Sequence, residues 1–183
     1  MPISLHTPFE TTDLLPLKSG DQVTISGIIY TARDTAHKKM TQLLEEGKEL
    51  PLPIQGAVIY YAGPCPTPPG KIIGSVGPTT SGRMDSYTPA MIQAGLKGMI
   101  GKGKRSLEVQ RACQEQKAVY FATIGGAAAL MAGCVKSARV IAYPELGAEA
   151  IYELEVENLP AVVVDDCYGN DLYERQDQLS SPS

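Results

Sequence analysis

Residues 88–123, TPAMIQAGLKGMIGKGKRSLEVQRACQEQKAVYFAT, carry the pattern that decides the fold class. Pro89 behind Thr88 has the order of a first-turn proline behind its helix cap; Met91, Ile92 and Leu96 can share one core-facing stripe, and Gly98 would close the helix. Met99-Ile100 reads as a short strand, Ser106 as the cap of a helix running to about Lys117, and Ala118 to Thr123 as a second buried strand. Helix, strand, helix and strand in close succession are the rhythm of an α/β protein.

The flanks extend that rhythm. Upstream, Lys18-Ser19-Gly20-Asp21 is a turn feeding the alternating strand Val23 to Ile29. Asp34 can cap a helix whose Ala36, Met40, Leu43 and Leu44 form an apolar stripe, with Gly47 where it would stop. Two β runs, Ala57 to Ala62 and Lys71 to Val76, are separated by the stiff, proline-rich Gly63-Pro64-Cys65-Pro66-Thr67-Pro68-Pro69-Gly70. Downstream, Gly125, Gly126 and Gly133 flank an alanine-rich helix suited to close packing, and Val140 to Tyr143, Ala150 to Val156 and Ala161 to Asp165 read as strands. Residues 1–11 look like an N-terminal arm and 176–183 like a polar tail. Without a repeat or a dividing linker, 1–183 is expected to be one α/β domain with mixed sheets flanked by helices.

Composition narrows the function. Sixteen Lys and Arg against 20 Asp and Glu leave a net charge of -4, with no basic footprint for a phosphate backbone, so nucleic-acid binding is set aside. No apolar run approaches the roughly 18 residues that cross a bilayer. The start MPISLHTPFETTD lacks the cationic and apolar regions of a leader, so a cytoplasmic protein with no membrane partner is expected. Cys65, Cys113, Cys134 and Cys167 stand far apart without a CxxC pair, which reads as reduced, buried small hydrophobes; no metal is assigned to this chain. His6 and His37 are its only imidazoles, too few for a histidine metal site with a histidine base beside it.

Three loops could carry chemistry. Gly77-Pro78-Thr79-Thr80-Ser81-Gly82-Arg83-Met84-Asp85 follows a strand and places hydroxyls between glycines ahead of an arginine, a set that suits a carboxylate; the alternative is a capped turn with a solvated arginine. Gly101-Lys102-Gly103-Lys104-Arg105-Ser106 opens a helix and could clamp an anion, although its glycine spacing is too short for a nucleotide-phosphate loop; otherwise it is a solvated basic turn. Arg33 stands at a strand end before a helix bearing Asp34 and His37, as a ligand-binding cation or as an ion-pair partner of a nearby acid. A small dicarboxylate needs charge partners at both ends, so convergence of Arg33, Arg83 and Lys102 would make physical sense.

The segments TARDTAHK, IYYAGP, GPTTSGRMD, GKGKRS, IGGAAAL, YPELGAEAIYELEVENLPAVVVDD and GNDLY occur in an order that resembles, from about Thr12 to Tyr173, the β subunit of class I, iron-sulfur-dependent fumarate hydratases. Similar β subunits belong to L-tartrate dehydratase. The resemblance implies a swivelling β/β/α domain equivalent to the C-terminal half of longer one-chain fumarases. It also implies a companion α subunit whose cysteines hold a four-iron four-sulfur (4Fe-4S) cluster, and an assembly of two α and two β subunits. None of the four cysteines here matches a cluster ligand, so this chain is not expected to catalyse alone. By position, Thr79 matches the base that removes the carbon-bound proton of malate, and Arg33, Arg83 and Lys102 match substrate-binding cations. Thr80 and Ser81 would orient or hydrogen-bond substrate, and Asp34 and His37 would support. The chain departs from some relatives at Ser81-Gly82 and in reading GKGKRS where they read AKGNRS, with one residue fewer before it, which affects the placing of Lys102. Expected readings are thus half of a fumarate hydratase, half of a tartrate dehydratase, or a non-catalytic dicarboxylate-binding module.

Overall fold

The computed structural model describes residues 1–123 and 128–180. It is a mixed α/β structure built on one seven-stranded sheet, with strands β1 (Ile3–His6), β2 (Gln22–Thr31), β3 (Val58–Tyr60), β4 (Gly98–Gly101), β5 (Val119–Thr123), β6 (Val135–Ala142) and β7 (Ile151–Asp165). Pairings β2–β3, β3–β4 and β4–β5 are parallel, whereas β7 runs antiparallel to both β5 and β2. The β2–β7 pairing therefore closes β2, β3, β4, β5 and β7 into a barrel-like ring, with β1 and β6 attached outside it. The expected mixed α/β pattern is present, with its parallel and antiparallel pairings combined in one closed sheet.

The helices are α1 (Thr11–Leu14), α2 (Asp34–Glu45), α3 (Thr88–Ala94), α4 (Leu107–Gln116), α5 (Ala128–Gly133) and α6 (Leu172–Ser180). Strand residues alternate between two cores, as expected where both faces of a parallel sheet are covered. Val58, Tyr60, Ile100, Val119, Phe121 and Val163 belong to one. Ile59, Tyr61, Met99, Tyr120 and Val164 belong to the other, packed with Met40 of α2, Met91 of α3 and Val109 of α4.

Several boundaries differ from the sequence reading. The N-terminal arm is an integral part of the fold: Leu5 and Phe9 are apolar enough to be buried, and β1 pairs with β2. The polar tail is helical as far as Ser180. Ala150–Val156 and Ala161–Asp165 are one strand, because Asn158 takes a left-handed φ of 53° at an irregularity and Pro160 sits where β7 passes from pairing with β6 to pairing with β5. Lys71–Val76 is irregular; Gly74 lies against the Cys65 and Pro66 carbonyls with no room for a side chain. Helix α3 ends at Gly95, φ 129°, and Gly98 opens β4 instead. Arg33, not Asp34, is the N-cap of α2, and the Thr88 hydroxyl donates to the Met84 carbonyl at 2.7 Å and does not cap α3. Ser106 does cap α4, accepting from the Val109 amide. Gly125 and Gly126 lie outside the described residues. Among the described residues no helix is long and apolar enough to cross a membrane.

Candidate active site at the strand ends

Parallel strands deliver their carboxyl ends to one edge of the ring, and the three loops singled out above leave from there. Arg33 follows β2, the segment 62–85 follows β3, and Lys102 follows β4. After the proline-rich excursion the chain returns to the ring: Tyr60 Oη donates to the Val76 carbonyl at 2.8 Å, Ala62 bridges Pro78, and the Thr79 amide donates to the Tyr61 carbonyl at 2.7 Å. Thr79 is thus held by its backbone against the end of β3, with its side chain part-exposed.

The next two residues join the neighbouring loop. Thr80 bridges Lys102, and the Ser81 amide donates to the Lys102 carbonyl at 2.9 Å. A 3-10 turn over Ser81–Met84 then leaves the Arg83 side chain exposed, as is that of Lys102. Among the described residues neither cation has a carboxylate within salt-bridge distance, whereas Lys104 is paired with Asp177 of α6 at 2.6 Å.

Arg33 stands on the other side of the β3 end. Ala32 N donates to the Tyr60 carbonyl, and the bare Cα of Gly63 makes room for Arg33 Cδ. Among the described residues its guanidinium has a 4.0 Å contact with Glu149, and Nε is buried without a hydrogen-bond partner. His37 is fully buried and holds the Arg33 carbonyl twice, through its own amide at 3.0 Å and through Nδ1 at 2.8 Å. Because a carbonyl only accepts, Nδ1 carries the proton. Burial, above all, pulls the imidazole pKa down to about 4, so the ring is neutral and packs edge-on to Tyr61. His37 supports Arg33 from behind and is closed to solvent.

Ser81, expected at the substrate, is fully buried: its Oγ lies 2.7 Å from Tyr120 Oη and occupies the place a Cβ on Gly101 would need. It faces the interior of the site wall. Sequence reading also passed over that wall. Arg105, with no exposed side-chain surface, donates from Nε to Asp85 Oδ1 at 2.7 Å and from Nη2 to Thr88 Oγ1 at 2.8 Å and Tyr61 Oη at 3.1 Å. Its guanidinium lies over the Tyr61 and Tyr120 rings, and Asp85 Oδ2 accepts the Ser106 amide at 2.8 Å. Burial opposes its charge, but Tyr61, Asp85 and Tyr120 outweigh that and raise its pKa. Two signals for this network were visible: a phenol inside the buried run Ala118 to Thr123, which needs a partner for its hydroxyl, and Asp85 closing the hydroxyl-rich motif.

Residues 1–176 match the family model described as the fumarase C-terminus. The chain belongs to the fumarase C-terminus family. Among similar proteins, the aerobic class I fumarate hydratase of Escherichia coli K12 is 44% identical over 156 residues, covering 84% of this chain and 28% of the relative. Fumarate hydratase 2 of Leishmania major is 42% identical over 158 residues, 85% and 28% of the two chains. A Methanocaldococcus jannaschii protein named as an L(+)-tartrate dehydratase subunit beta is 39% identical over 168 residues, 88% of this chain and 86% of the relative. The chain therefore spans under a third of the two hydratases and most of the β subunit. Among the described residues of this fumarase C-terminus domain, no group of three or more His, Cys, Asp or Glu is placed to hold a metal ion. Cys113 and Cys167 are buried, Cys65 is exposed and Cys134 is half-buried; burial pushes the Cys113 thiol up to about 12.

Proposed function

We propose that the chain is the β-type half of a hydro-lyase that interconverts fumarate and (S)-malate, a swivelling β/β/α domain whose site is completed by a companion α subunit. The observation that carries this reading is the joining of the Thr79 and Lys102 loops by backbone hydrogen bonds at neighbouring strand ends, with Arg33 at the end of the adjoining strand. The family relationship supports the same chemistry. In this reading the 4Fe-4S cluster belongs to the companion chain, two chains of each kind assemble, and the cytoplasm is the compartment.

The residues of this chain then divide the work. Arg33, Arg83 and Lys102 hold the two carboxylates, with Thr80 orienting the substrate, and Thr79 Oγ takes the carbon-bound proton of malate or returns it in the hydration direction. A threonine hydroxyl is a weak base, and cations around it lower the cost of its deprotonated form while stabilising charge that develops on the adjacent carboxylate. His37 holds the Arg33 backbone, and Asp34 places a carboxylate in the first turn of α2, where the helix dipole favours it.

L-tartrate is a second reading, favoured by the match to most of the length of a protein named as a tartrate dehydratase β subunit. The test is anaerobic expression of this chain alone, its companion alone, and both, followed by fumarate absorbance and by oxaloacetate formation from L-tartrate. Turnover is expected only from the pair, and the faster substrate decides between the two acids. Turnover by this chain alone would refute the shared site, and malate binding without turnover by the pair would leave a binding module.

A further inference from the structure

Tyr120 lies on β5 beneath both site loops, with one hydroxyl proton to serve two contacts. Its O–H donates to the Gly103 carbonyl at 2.9 Å, so in the 2.7 Å contact with Ser81 Oγ the serine is the donor and the phenol oxygen the acceptor. The oxygen is thereby pinned between the residue that follows Lys102 and the residue two after Thr79. Its ring is fixed in turn by the Arg105 guanidinium, 4.7 Å from the centroid, whose own donors are held by Asp85, Thr88 and Tyr61. Desolvation holds the phenol far above its ordinary pKa, so it stays a neutral donor.

We propose that Tyr120 is a positioning residue of the dicarboxylate site: its hydroxyl is a strut that keeps the Thr79 loop and the Lys102 loop at one spacing. Its effect on turnover rests on the hydro-lyase reading; its effect on the two loops does not. The Ser81 and Thr80 contacts tie the two loops at Lys102 and Asp85 ties them at Arg105 and Ser106; the phenol adds an attachment between those two points, at Gly103, offset toward β5. Catalysis by a proton-accepting hydroxyl beside a substrate-holding cation is sensitive to the spacing of the two loops, because displacements of about 1 Å cost on the order of a hundredfold in rate.

Tyr120→Phe removes one oxygen and leaves the ring on Arg105. Hydrogen exchange of the full chain should quicken by about tenfold in peptides covering 78–85 and 101–106, and stay unchanged in 34–45, as the loss of one buried hydrogen bond predicts. Unchanged exchange in the first two peptides would overturn the strut whatever the activity. In the complex with the companion chain, kcat should fall between about tenfold and a hundredfold with KM moving by less than about threefold. Wild-type kcat would overturn the proposal. Ser81→Ala should add little to Tyr120→Phe, because both cut one strut; additive losses would show Ser81 acting by itself and overturn it as well. An inactive wild-type complex would count against the hydro-lyase reading, and the exchange result would still decide the strut.

Discussion

The two flanks of the candidate site are built differently. On the Thr79–Lys102 flank the buried side chains that tie the two loops together are paired within the chain: both Asp85 oxygens accept, Arg105 donates to three oxygens, and Ser81 donates to Tyr120, although the buried Asp165 oxygens on β7 beside Tyr120 have no hydrogen-bond partner among the described residues. On the Arg33 flank three buried polar atoms, Arg33 Nε, Asp34 Oδ1 and His37 Nε2, have no hydrogen-bond partner among the described residues. Buried polar groups are ordinarily paired, and networks that are fully paired hold a geometry. This chain therefore braces one wall of the candidate site by itself and keeps hydrogen-bonding capacity in reserve on the other.

The contrast can be broken most directly at Asp85. Asp85→Ala strands the fully buried Arg105 guanidinium and the Ser106 amide, and urea unfolding should show a loss of about 3 kcal/mol or more. An undiminished midpoint would show that the braced wall is not braced.

Asp165 sharpens it through pH. Burial, and after it Asp171, raise its pKa from 3.8 to about 8. The folded chain therefore holds this proton more tightly than the unfolded one, and the stability it contributes is full below about pH 4 and lost as pH climbs through about 8. Asp165→Asn should remove that slope, so melting temperatures measured across this range should show a gain over wild type that widens toward alkaline pH; a constant difference would contradict the buried, protonated carboxyl.

His37 runs the opposite way and with a smaller effect. Its pKa falls from 6.5 to about 4 on burial, so stability that is complete above 6.5 declines as the pH drops toward 4. His37→Phe should flatten that acid limb in a melting series and cost about 1 kcal/mol at neutral pH, since the backbone bond to the Arg33 carbonyl survives. The smallest effect is expected at Asp34, whose Oδ1 is already unpaired: Asp34→Ala should cost less than about 1 kcal/mol by urea unfolding. A loss as large as that of Asp85→Ala would erase the distinction between the flanks.

Much of the frame was legible because periodicity and caps survive in one dimension. Ser106 announces α4, Val23–Ile29 announces β2, and Arg33 and Lys102 fall just after strands as read. What was hidden depends on distant partners. That β7 closes the ring by pairing with β2 lies in no local pattern, and Ala150–Val156 and Ala161–Asp165 read as two strands because the irregularity at Asn158 that lets them continue as one needs a partner strand. Ser81 looked like a loop hydroxyl, yet its burial depends on the absence of a side chain at Gly101 and on a phenol 39 residues away. Arg105 looked like one more surface cation in GKGKRS until Asp85, Tyr61 and Thr88 surrounded it.

In the proposed function the Thr79 hydroxyl moves a carbon-bound proton beside cations of this chain. That step is tested most directly by following deuterium incorporation into malate in heavy water, catalysed by the anaerobic complex with its companion chain. The account predicts exchange by the wild type, partial exchange by Thr79→Ser and none by Thr79→Ala with the fold intact; exchange by Thr79→Ala at the wild-type rate would contradict it.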